Sequence, residues 1–210
     1  VNAGRVGAAF CAADPAALAL VVCVEVCSVH LQLSLGRDAL LPNALFGDGA
    51  AALLMRPGDG GLAWRASDSL RLPQTSGLMT WSISDEGFRM TLDSSVPDAI
   101  ARHLRGAVEA FLARHGLAID DVAGWAIHPG GPRILEASLA ALGLGRERGD
   151  DSAHILRHHG NLSSVTAPRI VSELLSRGVR GSVMMLAFGP GLVAEMALLH
   201  AGGMQATPPP

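Results

Sequence analysis

Two side chains of this chain could hold a carbonyl oxygen while negative charge grows on it: His128 and Asn161. His128 ends an apolar run over 122–127. A histidine at the tip of a strand suits general acid/base work, or donation to a developing oxyanion. Pro129-Gly130-Gly131-Pro132 follows at once. Glycines beside the histidine let a ligand approach the main chain, because no Cβ stands in the way. Asn161 lies in "HHGNLSS", after a glycine and just ahead of a helical pattern. Its amide, aimed at the same point as His128, would complete an oxyanion-binding pair. Taken as residues alone, a core histidine held by a backbone carbonyl and a turn asparagine are equally open readings.

Other stretches carry less specific chemistry. "ALFGDGAAALL" (44–54) is a tight Gly-Asp-Gly turn before an alanine-rich strand. Asp48 there reads as architecture or as function, and Phe46 as core or as the mouth of a pocket. "AFGPGLVAE" (187–195) is a glycine-proline turn that shapes a wall or simply joins two strands. "VNAGRVGAA" opens a helix, the place where a helix dipole would stabilise a thiolate. Yet Cys11 falls inside the helical run, and Cys23 and Cys27 fall in or just after a strand, so all three read as structural. His158 and His159 have no cysteine or carboxylate at ligand spacing; they read as polar loop residues, and no metal is expected.

The elements that must position these residues alternate between strand and helix. A helix covers 5–13 and breaks near Asp14-Pro15. The run 17–26 is short, continuous and β-branched, which predicts a strand buried on both faces. Further strands are expected within 47–61, at 62–67, 87–92, 122–127, 181–189 and 192–200, with a polar segment over 68–80. Ile100, Leu104, Val108, Phe111 and Leu112 share one face of a helix over 97–115, capped by Ser94 or Ser95 and ended by Gly116. Shorter helices follow at 133–142, 152–157 and 164–177. This is an α/β pattern with a soft boundary near 57–75.

The bulk properties narrow the class. The chain has 210 residues, 49% apolar and only 17% charged, so it can build a sizeable core. Its net charge is −3 and its basic residues do not cluster, so no nucleic-acid partner is expected. An odd number of cysteines in apolar surroundings suits reduced thiols in the cytoplasm. No apolar run reaches the ~20 residues that span a bilayer, and no signal peptide is seen, so no membrane partner is expected. The chain opens with Val1 inside a motif and so reads as the C-terminal part of a longer protein. "MQATPPP" reads as a frayed tail.

Taken together and in order, "VCVEVCSVHLQ", "ALFGDGAAA", "WAIHPGGPRIL", "HHGNLSS" and "LAFGPGLVAE" resemble the type III polyketide synthases, the chalcone and stilbene synthase family. His128 and Asn161 lie 33 residues apart, as the family has them. "CSVHLQ" and "GFRMTL" look more like bacterial members. The resemblance implies an α/β, thiolase-like fold of αβαβα layers, here incomplete. Residues 1–62 would be the end of the first half, 63–203 the second half, and 204–210 a tail. It implies a homodimer that loads an acyl-CoA starter onto a cysteine, decarboxylates malonyl-CoA, extends by Claisen condensation and cyclises the product. Coenzyme A thioesters are substrates; no metal or redox cofactor is implied.

The resemblance also assigns residues. His128 and Asn161 would hold the malonyl thioester carbonyl, and His128 would pair with the thiolate. Phe46 matches an aromatic gate. Met90 falls where a second gate phenylalanine often stands. His30 sits at a position that varies with starter and product, and Ser163 belongs to the same substrate pocket. Gly130 and Gly131 would lie along the pantetheine arm of coenzyme A. The departure is at the nucleophile: in the Cys-x-Ala-Gly motif Ala3-Gly4 match, and the cysteine's place falls on Val1 or just before it. The parent is thus expected to be a synthase forming a pyrone, resorcinol or phloroglucinol-type product, with a fatty acyl starter the favoured guess. The fragment alone is expected to be inactive. A catalytically dead homologue serving as a dimer partner is the alternative. An initiating ketoacyl synthase ranks lower, since His-Gln-Ala-Asn is usual there where this chain has "HPGGP".

Overall fold

The computed structural model describes residues 1–31, 43–58, 60–85 and 87–202. The expected tail over 204–210 lies outside them. The described elements are α1 (Asn2–Ala13), β1 (Ala19–Glu25), a 3-10 turn (Cys27–His30), β2 (Gly49–Met55), β3 (Leu62–Arg71), β4 (Met79–Ser84) and β5 (Gly87–Leu92). Next come α2 (Val96–Ala113), β6 (Val122–Ile127), α3 (Pro132–Leu142), α4 (Asp150–His159), α5 (Thr166–Ser176), β7 (Gly181–Gly189) and β8 (Val193–Ala201).

A four-stranded sheet in the order β3-β8-β7-β6 organises the larger part of the chain. β6 and β7 run parallel, with α3, α4 and α5 in the connection between them, and the other two pairings are antiparallel. Along these strands alternate residues go to opposite faces, so each face builds its own core. On one face Trp125, Ile127, Met184, Leu186, Met196 and Leu198 pack with the apolar stripes of α2 and α3. On the other, Ala126, Val183, Met185 and Leu199 pack with Ile170, Val171 and Leu174 of α5.

Beyond α5 lies a second, smaller sheet, the antiparallel pair β1–β2. Cys23 and Ala51 from its inner face join the α5 core. α1 fits into the same middle layer because its inner face is glycine. A Cβ on Gly4 would stand 2.5 Å from the Trp64 ring of β3, and one on Gly7 would stand 2.9 Å from Met55 Sδ of β2. The layers therefore run helix, sheet, helix, sheet.

Several expectations need correction. β1 is not buried on both faces: Leu20, Val22 and Val24 are 63%, 57% and 63% exposed, while the residues between them face inward. The run is apolar on both sides, but the described residues cover only one. The polar segment expected over 68–80 is strand at both ends: β3 continues to Arg71, and β4, which pairs with β5, begins at Met79. α2 begins at Val96, and the Ser95 hydroxyl does not cap it; the hydroxyl and N–H of Ser95 both donate to Asp93 Oδ1. α4 runs to His159, so His158 and His159 form its last turn and not a loop, with the His154 and His158 rings 4.4 Å apart. Among the described residues no cluster of three or more His, Cys, Asp or Glu could hold a metal, and no helix is long and apolar enough to cross a membrane.

Candidate active site

His128 is the first residue past β6. Its N–H donates to Leu186 O at 2.7 Å, so strand pairing with β7 continues one step beyond the last assigned position. The chain then turns sharply: Gly130 N–H donates to His128 O at 3.1 Å, and Gly131 O accepts from Ile134 and Leu135, starting α3 with Pro132 in its first turn. This explains the Pro-Gly-Gly-Pro run. A Cβ at Gly130 would lie 3.9 Å from both Cδ2 and Nε2 of the imidazole, so the bare side of that glycine faces the ring.

The imidazole nitrogens make no hydrogen bond to a described residue. The ring keeps some exposure but is surrounded by enough protein to lose most of its hydration. Burial, reinforced by repulsion from the Val1 ammonium, lowers its pKa to about 4. Two consequences follow. His128 is neutral near pH 7, with one N–H to offer. The start of α1 also lies close enough to His128 to act on it electrostatically.

Asn161 is built by close backbone packing. Its N–H donates to Leu45 O at 2.7 Å, and its carbonyl accepts from Gly47 N–H at 3.0 Å. Phe46 and Asn161 thereby form a parallel bridge. Only glycines permit this approach. A Cβ on Gly47 would stand 2.3 Å from His159 O, and one on Gly160, whose φ is +76°, would stand 2.7 Å from Leu45 O. The Asn161 side chain is 4% exposed, and its Oδ1 accepts the Ser163 N–H at 2.9 Å. That bond fixes which end of the amide is which, and it leaves the Nδ2 donors uncommitted among the described residues.

The His128 and Asn161 loops meet across the 45–47 segment. A Cβ at Gly131 would touch Leu45 Cδ2 at 3.9 Å, while Leu45 O holds Asn161. Phe46, Asn161, Gly130, Gly131 and His128 therefore belong to one neighbourhood. Ser163 sits at its edge with φ +50°, an uncommon backbone for a non-glycine residue that the Asn161 side-chain bond helps to hold. His30 ends the 3-10 turn after β1, and β5, which carries Met90, packs against that turn. Both residues are half-buried, as is Phe46.

Two functional-looking contacts escaped the sequence reading, and a third resolves Asp48. Glu25 Oε1 accepts the Ser164 hydroxyl at 2.5 Å and the Ser164 N–H at 3.2 Å, clamping the Asn161 loop from the β1 side. Glu195 of β8 accepts from Asn2 of α1. Asp48 takes both the N–H and the hydroxyl of Ser28, at 2.8 and 2.6 Å, which holds its carboxyl below the usual carboxylate range and makes it architectural. A signal existed for the two glutamates: each is a lone carboxylate inside an otherwise apolar strand.

Comparison with known proteins places the chain in a family. Residues 65–202 match "Chalcone and stilbene synthases, C-terminal domain". The 1,3,6,8-tetrahydroxynaphthalene synthase of Streptomyces peucetius subsp. caesius is 40% identical, over 87% of this chain and 51% of that protein. The putative chalcone synthase of Bacillus subtilis is 31% identical, over 91% of this chain and 56% of that one. Among solved structures, PKS-I of the brown alga Ectocarpus siliculosus superposes with TM-score 0.91 at 30% identity, covering 96% of this chain and 57% of that one. The tetrahydroxynaphthalene synthase of Streptomyces coelicolor A3(2), a bacterial type III polyketide synthase, gives 0.89 at 31% identity, over 96% and 59%. The chain thus spans somewhat more than half the length of these relatives. Its fold is thiolase-like, and the chain belongs to the chalcone and stilbene synthase family, the type III polyketide synthases.

Proposed function

We propose that this chain is the C-terminal portion of a synthase that extends an acyl-CoA starter with malonyl-CoA by decarboxylative Claisen condensation. His128 and Asn161 donate to the thioester oxygen of malonyl-CoA. The bond to the carboxylate breaks, carbon dioxide leaves, and the electron pair is held on that oxygen as an enolate. The enolate carbon then attacks the carbonyl of the acyl group on the thiol, and the thiolate departs. One observation carries this reading: Asn161 spends its oxygen on Ser163, so the end that remains for a substrate is a donor. A neutral His128 supplies the second donor.

Around that centre, Phe46 and Met90 gate the cavity, His30 and Ser163 line it, and Gly130 and Gly131 pass the pantetheine arm. We place the end of the first thiolase-like half at residues 1–62 and the second half at 63–203, in a homodimer. No metal or redox cofactor takes part in these steps. The names of the relatives include a tetrahydroxynaphthalene synthase and an α-pyrone synthesis enzyme. For this chain we propose an aromatic or pyrone product, of the pyrone, resorcinol or phloroglucinol type.

The test is malonyl-CoA decarboxylation by the parent synthase with His128→Ala or Asn161→Ala. Loss of one oxyanion donor is expected to slow it by ~10²–10³; unchanged rates in both variants would remove these roles. A second reading, an inactive thiolase-fold partner, rests on Val1 filling the cysteine's place in the Cys-x-Ala-Gly motif. Coding DNA ahead of Val1 decides between them: Gly-Cys there supports the synthase.

A further inference from the structure

We propose that Glu195 is a positioning residue that latches the first turn of α1 to the four-stranded sheet, and so sets where the N-terminal end of that helix, at which the Cys-x-Ala-Gly motif would put its nucleophile, stands relative to His128. The latch itself is read from contacts; its bearing on the thiol rests on the function proposed above.

Glu195 lies on β8, directly across from Ser69 on β3. Its two carboxylate oxygens are used separately. Oε1 accepts the Asn2 Nδ2–H at 3.0 Å, and Oε2 accepts the Ser69 hydroxyl at 2.5 Å. Ser69 Oγ also lies 3.3 Å from Asn2 Oδ1 and 3.4 Å from Arg5 Nη1. The first turn of α1 is therefore tied to two adjacent strands by a closed set of polar contacts. Apolar packing alone would not achieve this. Its inner face is glycine, Gly4 against Trp64, and brings no side chain of its own to interlock with the sheet. α1 also has no side-chain cap of its own and no acidic residue in its first turn. A carboxylate supplied from another element takes that place next to the N-terminus, where negative charge is favoured.

The experiment has two arms. In the 210-residue chain, hydrogen exchange is followed at the Arg5 amide, whose bond to Val1 O (3.0 Å) closes the first turn, and at the Val6 amide. Glu195→Ala is expected to speed exchange there about fivefold, the worth of roughly one net hydrogen bond, with α5 amides unchanged. Glu195→Gln, which keeps an acceptor for one partner, restores most of the protection. Equal exchange in Glu195→Ala and wild type, or acceleration spread evenly over α5 as well, overturns the latch. In the parent synthase, Glu195→Ala lowers condensation more than malonyl-CoA decarboxylation, and Glu195→Gln recovers the ratio. Equal loss of both overturns the positioning role. The exchange arm needs no activity, so its result stands apart from the His128 and Asn161 tests of the proposed reaction.

Discussion

Gly160→Ala tests whether the Asn161 carboxamide is placed by backbone crowding. Gly160 has φ +76° and ψ −166°, a region that only glycine occupies comfortably. Forcing alanine there costs about 1–3 kcal/mol. The added methyl would also stand 2.7 Å from Leu45 O and 3.5 Å from Gly47 N, both backbone atoms that cannot rotate away. Relief requires the 45–47 segment to retreat, which loosens the two bonds to Asn161 at 2.7 and 3.0 Å. Each is worth about 0.5–1.5 kcal/mol net. The sum is about 2–6 kcal/mol, a large share of the stability of an ordinary domain. Gly178→Ala is the control, since Gly178 has φ +82° with nothing within 4 Å of an added Cβ. It carries backbone strain alone, about 1–2 kcal/mol. Urea unfolding of the 210-residue chain should show Gly160→Ala losing at least ~1 kcal/mol more than the control. In the parent synthase the same change should cut malonyl-CoA decarboxylation, because the amide donor moves with the loop. Equal stability losses in the two variants would refute the crowding, and an undiminished decarboxylation rate would refute its link to Asn161.

Three further outcomes are expected. His128 has a folded pKa of about 4, below its ordinary 6.5, so protonation favours the unfolded chain. Its contribution to stability is complete above pH 6.5 and is lost as pH falls toward 4, by up to about 3 kcal/mol. Urea midpoints across that window should fall in wild type and fall less in His128→Gln; parallel curves would contradict the assignment. Gly130→Ala should be tolerated within about 1 kcal/mol, since the nearest atom to its Cβ is the mobile end of Ile134 at 3.1 Å. The methyl would nevertheless sit beside the imidazole and raise KM for malonyl-CoA in the parent, so an unchanged KM would argue against substrate passing that glycine. Gly4→Ala should lower the Tm although alanine favours helix by about 1 kcal/mol, because its Cβ would meet the Trp64 ring at 2.5 Å; a raised Tm would mean that α1 does not seat as described.

The patterned parts of the fold were legible in the sequence, and the physical reason is periodicity. The apolar face of α2, from Ile100 to Leu112, and the buried runs of β6 and β7 each follow one spacing over a full element. Cover is not written into spacing. β1 has the composition of a strand buried on both faces, yet alternate residues stand in the open, because what lies over its outer face is a matter of other chain segments. The same limit applied at the site. His128 and Asn161 were visible as residue types beside glycines, but ligand approach was read only for Gly130 and Gly131, and Gly47 was read as a turn. For Gly47 and Gly160 the structure gives a different cause, the passage of one backbone against another.

The two glutamates show what sequence reading can gain from this. A carboxylate inside an apolar strand loses hydration unless donors meet it, and such a residue persists only where it is paired. Glu25 and Glu195 both obey that rule, and their donors come from elsewhere in the chain: Ser164 beside the Asn161 loop, and Asn2 with Ser69 at the start of α1. Each thus joins a strand to one of the segments that approach the His128 neighbourhood. The oxyanion donors need fixed positions to be worth more than water. Under the proposed function, part of that fixity comes from charged hydrogen bonds outside the pocket, so variants at Glu25 and Glu195 should weaken the chemistry by letting the segments that approach His128 and Asn161 shift.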